Sequence, residues 1–104
     1  MPKYVLAYHG GKMPESPEEG EKVMAAWNTW IAKMGSHMVD VGNPTSAAKT
    51  VGADGKISDG GGANPLSGYS IIEAANLDEA AMMAQGCPQI AAGGTIQVAE
   101  TIAM

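Results

Sequence analysis

The chain has 104 residues, 45% of them hydrophobic, and eleven acidic against six basic side chains give a net charge of −5. That length suits one domain spanning residues 1–104, able to bury roughly two-thirds of its unfolded surface without metal or disulfide. The single cysteine excludes an intrachain disulfide and a cysteine-rich zinc site, and without a Lys/Arg cluster there is no basic face for nucleic acid.

Lys3 to His9 reads as a strand, because Tyr4-Val5-Leu6-Ala7-Tyr8 is apolar and β-prone, and Gly10-Gly11 ends it. Ser16-Pro17-Glu18-Glu19 is a helix start: Ser16 caps, Pro17 suits the first helical position and Glu19 completes a capping box. Val23, Trp27, Trp30, Ile31 and Met34 then share one helical face, which places a helix at 17–34 with Gly35 closing it. His37 to Val41 is a short strand stopped by Gly42-Asn43-Pro44. Lys49–Ala53 and Lys56–Ser58 flank Asp54-Gly55, a two-residue link that predicts a type I′ hairpin projecting from the main sheet. Ser67 to Ala74 is the clearest strand. Asn76-Leu77-Asp78-Glu79 is a second capping box, opening a helix that runs to Gln85, and Pro88–Ala92 forms one further turn. Thr95 to Ile102 alternates apolar with polar residues, as a half-buried strand does.

Each half of the chain thus reads strand, capped helix, strand. Two such units make an α+β, ferredoxin-like βαββαβ sandwich, with helices on one face of an antiparallel sheet and a hairpin inserted between the second and third core strands. The other sheet face is left uncovered, so a homodimer stacked sheet on sheet is expected. No apolar run approaches the ~18 residues of a membrane span, and the amino-terminal stretch turns polar too soon for a signal peptide. A soluble, cytoplasmic protein is expected, with no metal and no cofactor.

Three places resemble the YCII-related family, a branch of the dimeric α/β-barrel superfamily. They are the strand Lys3-Tyr4-Val5-Leu6-Ala7-Tyr8, the Asp59-Gly60 pair, and the run from Gly68-Tyr69-Ser70-Ile71-Ile72 through Leu77-Asp78-Glu79-Ala80 and Cys87-Pro88 to Gly93-Gly94. Asp59-Gly60 looks like the start of the DGPF motif of one subgroup, with Gly61-Gly62 in place of Pro-Phe. The resemblance implies a homodimeric α/β barrel with clefts between the sheets, and assigns no reaction. Some relatives look like enzymes through a His-Asp pair. Where they carry a histidine in the first helix, this chain has Ala25-Ala26-Trp27-Asn28, so that pair is not carried over.

The candidate chemistry rests on His9, at a strand end beside two glycines that leave room for a ligand. Strand alternation with Val39, Val41, Ile96 and Val98 toward the helices puts Asp40 and Gln97 on the uncovered face. His9 with Asp40 is the candidate general base and its orienting partner, acting through a water or ligand because a strand separates them. Asp59, Asn64, Ser70 and Gln97 are the candidate ligand contacts, gathered around that end of the sheet and its glycine-rich loop. His37 and Asp40, three apart, point to opposite faces and make a poor dyad. Cys87 follows a helix C-terminus, where the dipole disfavours a thiolate, and reads as packing. Neither Gly10-Gly11-Lys12 nor Gly60-Gly61-Gly62 meets a phosphate-loop or dinucleotide pattern. Two function classes follow: a YCII-related dimer that binds a small organic ligand between its sheets, or an acid–base enzyme, such as a lactone isomerase or hydrolase, using His9. A purely structural or regulatory dimer is the third reading.

Overall fold

The computed structural model describes residues 1–103. Its main sheet has four strands: β1 (Lys3–His9), β2 (Met38–Asp40), β5 (Leu66–Glu73) and β6 (Thr95–Glu100), in the order β2-β5-β1-β6. Every neighbouring pair is antiparallel. Helices α1 (Pro17–Met34), α2 (Leu77–Gln85) and the short α3 (Pro88–Ala91) cover one face. This is the ferredoxin-like α+β arrangement that the strand and helix order predicts.

Strand β1 builds the core by strict alternation. Tyr4, Leu6 and Tyr8 are buried beneath the helices, while Val5, Ala7 and His9 face the other way and are half-buried. Ser70, Ile72 and Ala74, in and just after β5, join the buried side, and Ile96 and Val98 of β6 pack against it. Helix α1 delivers Trp30 and Met34, with Trp27 edge-on to both Tyr8 and Trp30 at centroid separations of 5.4 and 5.9 Å. Helix α2 buries Ala80 and Ala84, small side chains that let its backbone lie close to the sheet, and packs Met83 at the margin of the core. Both N-caps form, and each third-position glutamate reaches back to the N–H of the residue before the cap, Glu15 and Ala75, rather than of the cap itself. Glu19 N–H donates to Ser16 Oγ at 3.1 Å, and Glu79 N–H to Asn76 Oδ1 at 2.8 Å.

Three local expectations change. His37 lies in a single 3-10 turn (Gly35–His37) before β2, not in a strand. The register then shifts between Met38 and Asp40, so Met38 packs on the core while Val39 and Val41 are 43% and 48% exposed. The inserted strands β3 (Lys49–Val51) and β4 (Ile57–Asp59) do form a separate two-stranded sheet. Their link, however, is not type I′. Gly55 N–H donates to Gly52 C=O at 2.9 Å, and only Gly55 has positive φ, at 83°. That is a type I turn closed by a left-handed glycine, and it spares Asp54 a strained conformation.

Beyond β2 the chain keeps following β5: Tyr69 N–H donates to Asn43 C=O and Thr45 N–H to Ser67 C=O, at 3.3 and 3.0 Å. Gly42 makes this possible. Its φ is +72°, and a Cβ there would lie 1.9 Å from the Tyr69 carbonyl oxygen. Gly42→Ala therefore combines a left-handed non-glycine residue with a backbone collision. It should cost more than about 2 kcal/mol of unfolding free energy. Urea denaturation followed by circular dichroism checks this; a loss below about 0.5 kcal/mol, the size of an ordinary surface change, would contradict the assigned register.

Candidate functional site

The uncovered sheet face is graded from end to end. At one end Lys3 pairs across strands with Glu73, opposite charges side by side. The middle is apolar: Val5 lies between Ile71 and Ala99. Next, Ala7 sits between Tyr69 and Gln97, and its single methyl leaves a low floor between two larger side chains. At the far end His9 pairs with Thr95 on one side and Leu66 on the other. The β1–β5 register slips there, so Ser67 bulges beside His9. Bulges at strand ends re-aim side chains and are common beside functional sites. The Ser67 hydroxyl is buried and, among the described residues, lacks a hydrogen-bond partner.

The His9 ring is oriented by backbone. Nδ1 lies 3.0 Å from the Asn64 carbonyl oxygen and 3.3 Å from that of Pro65. A carbonyl only accepts, so Nδ1 carries the proton and, in the neutral ring, Nε2 keeps its lone pair. Among the described residues nothing hydrogen-bonds Nε2. The main chain at this position is clamped as well: Gln89 Nε2 donates to the His9 and Gly10 carbonyls at 3.0 and 3.2 Å. Gly94 lets it reach them, since a Cβ there would lie 2.2 Å from Gln89 Nε2. The arrangement is a histidine with one nitrogen tied to the protein and the other presented as a base or acceptor.

The predicted site residues divide. His9 and Gln97 share the polar end of the open face, and Asn64 joins them through its carbonyl. Asp40 does not. It sits opposite Ile71, whereas His9 sits opposite Leu66, five residues further along β5. That is roughly 16 Å along the strands in addition to about 10 Å across them. The His9–Asp40 pair is therefore not assembled within one chain, even through a bridging water. The Asp40 carboxylate instead accepts from Gly42 N–H at 2.9 Å and shapes the turn. The register slip within β2 and the run of chain after it, which carry Thr45 rather than Asp40 to the His9 end, were not legible from alternation.

Ser70 also leaves the proposed cleft. It faces the helices, where Tyr8 OH donates to its Oγ at 2.7 Å and its own hydroxyl donates to the Val41 carbonyl at 2.7 Å. Asp59 lies on the hairpin, paired with Lys49 Nζ at 2.6 Å and exposed to solvent. His37 donates from Nδ1 to the Glu73 carbonyl at 2.9 Å. Gln89 went unnoticed in the sequence, because it belongs to no charged cluster or spaced motif; Ser67 falls at the expected end of the sheet, but Ser70 was the serine taken as a ligand contact.

Cys87 is buried against Tyr8. Burial pushes its thiol up to about 11, from 9.0. Burial likewise raises the Tyr8 phenol, against the lowering effect of its bond to Ser70. A cavity of about 930 Å³ forms an open groove between the helices, walled mainly by Trp30, Met34, Met82, Met83 and Ile90. Its polar lining, Thr29, Lys33, His37 and Gln85, includes, among the described residues, no buried group left without a partner, so size alone does not make it the site. Among the described residues no group of three His, Cys, Asp or Glu could hold a metal ion, and no helix is long and apolar enough to cross a membrane.

Two outcomes follow for this buried polar chain. Ser70→Ala should cost about 1–3 kcal/mol in denaturant unfolding, because it strands the Val41 carbonyl and the Tyr8 hydroxyl; a neutral effect would contradict the bonding described. Cys87 should resist a thiol reagent at pH 8 until denaturant is added. Its folded-state value lies above the unfolded one, so its contribution to stability is complete below pH 9 and falls as pH rises from 9 to 11. Fast labelling of native protein at pH 8 would contradict this.

No curated protein matches the chain. The sequence pattern of the YCII-related domain matches residues 4–102, from the second residue of β1 to just past the end of β6. A match over nearly the whole length, on the fold just described, establishes kinship: the chain belongs to the YCII-related domain family.

Proposed function

We propose that the protein is a homodimer, joined through its uncovered sheet faces, that binds a small polar organic ligand at the His9 end of the cleft between them. The observation that carries this reading is the His9 ring, held through Nδ1 by two backbone carbonyls with Nε2 left to a ligand. Around it lie Gln97, Thr95 and the hydroxyl of Ser67, buried and without a partner among the described residues. Apolar Val5, Ile71 and Ala99 supply the surface on which a second sheet would close, excluding water from the polar end. Such a set suits a ligand with a hydroxyl or acid proton to give to Nε2 and an acceptor for the serine hydroxyl.

A second reading deserves its test because the same tautomer suits proton abstraction: His9 acts as a general base on a small hydroxy or carbonyl compound. In that case it works without Asp40 as orienting partner, since the Asn64 and Pro65 carbonyls already hold the ring. Asp40, Asp59 and Ser70 have no part in either reading.

A thermal-shift screen of small hydroxy acids, lactones and keto acids tests the proposal. A hit should stabilise the wild type. His9→Ala should weaken its binding at least tenfold in titration calorimetry, and Asp40→Ala should leave it within about twofold. Equal affinity in the His9 variant would sink the binding reading. Product formation by the wild type that is lost in His9→Ala, with the ligand still bound by His9→Gln, would favour the enzyme.

A further inference from the structure

The β3–β4 hairpin is an arm without a body to rest on. All six of its strand residues are exposed, and Val51 and Ile57, paired directly across the two strands, are 67% and 68% exposed. The radius of gyration, 14.9 Å, exceeds the about 13 Å expected of a compact chain of this length. The molecule extends 43 by 41 Å but is only 18 Å thick, so the arm spreads sideways rather than folding back over the sheet. A lone two-stranded hairpin is marginally stable in water, and this one places an apolar pair near its tip on the same face as the Lys49–Asp59 ion pair.

The arm is rooted at the site. Its outgoing chain follows β5 as far as Thr45, bonded to Ser67, and its returning chain passes through Asn64 and Pro65, whose carbonyls hold His9. We infer that the arm of each subunit packs on the second copy, where Val51 and Ile57 wall off the His9 end of the partner's cleft. This rests on the sheet-to-sheet dimer proposed above and adds that neither site is closed without the other subunit's arm.

Area and charge favour a second copy as the occupant. Four strands at ~4.8 Å spacing and seven residues at ~3.3 Å rise give a sheet face of about 440 Å² in projection, hence about 900 Å² for two copies. Stable interfaces begin at roughly 1,200 Å². Two-fold symmetry repeats the arm contact, once for each arm, so it adds to the sheet-face area twice. In a chain of net charge −5 the arm is neutral, with Lys49 and Lys56 against Asp54 and Asp59. On the open face Glu73 is matched by Lys3, and Asp40, opposite Ile71 on the edge strand, is the remaining carboxylate among the described residues. The two surfaces that would meet a second copy are therefore spared most of the chain's negative charge.

Sedimentation equilibrium of the wild type, of Val51→Asp/Ile57→Asp and of Ile71→Asp tests this. The arm variant should keep its melting transition as a monomer, since the arm touches little of its own body, yet raise the dimer Kd at least tenfold. At concentrations where both are dimeric, diethyl pyrocarbonate should modify His9 at least fivefold faster in the arm variant. A dimer Kd and a His9 modification rate both unchanged in the arm variant would overturn the arm's role and leave the sheet-face dimer standing. A wild type that stays monomeric would overturn both. Ile71→Asp separates the two, because it breaks a sheet-face dimer whether or not the arm docks. Should the arm variant misfold, hydrogen exchange of wild-type residues 49–59 decides: protection that rises with protein concentration supports docking, and fast exchange at all concentrations overturns it.

Discussion

Strand β1 is hydrogen-bonded on both sides, to β5 and β6, and its two faces do opposite work. Tyr4, Leu6 and Tyr8 are almost wholly removed from water under the helices. Burying three side chains of that size on one interior strand contributes about 1.5–3 kcal/mol for each. It locks the register, because a slip of one residue would send all three to the open side and bring Val5, Ala7 and His9 inward. The position of His9 at the end of the open face is thus a consequence of core packing one, three and five residues before it, at Tyr8, Leu6 and Tyr4.

Polar groups are divided between the faces by the same alternation. On the helix side the Tyr8 and Ser70 hydroxyls and the Val41 carbonyl satisfy one another in a short chain, and Cys87 completes the packing. Such a chain tolerates burial because each member has a partner. On the open side satisfaction is incomplete: His9 has one ring nitrogen engaged and Ser67 has no partner among the described residues. A buried polar group without a partner is costly, so the Ser67 hydroxyl beside the half-engaged His9 ring needs a reason. A ligand is the reason offered here.

Much of the fold was legible along the chain. The capping boxes at Ser16 and Asn76, Pro17 at the helix start and Gly35 at its end act within a few residues, and the helices form where those signals put them. Strands β1, β5 and β6 declare themselves through period two. The site was legible only in part. His9 stood out because a histidine beside two glycines is visible in the sequence, and Gln97 followed from alternation in β6. Asp40 and Ser70 were misplaced, for different reasons. For Asp40 the register slip and the chain's continuation along β5 shift the ends of the strands; Ser70 was assigned to the cleft although alternation from buried Ile72 puts it on the helix side.

Local interactions, then, are written in the order of residues: caps, turns and strand alternation, and through them the ferredoxin-like plan and the family. Register between strands distant in sequence is not. It is selected by which large side chains fill the space beneath the helices, and that choice sums over Tyr4, Leu6, Tyr8, Trp30 and Ile72 together. The tautomer of His9 depends on it too, since the carbonyls that hold the ring belong to residues 55 and 56 positions away. Only packing in three dimensions brings those groups together, and so only the folded chain decides which nitrogen His9 leaves for chemistry.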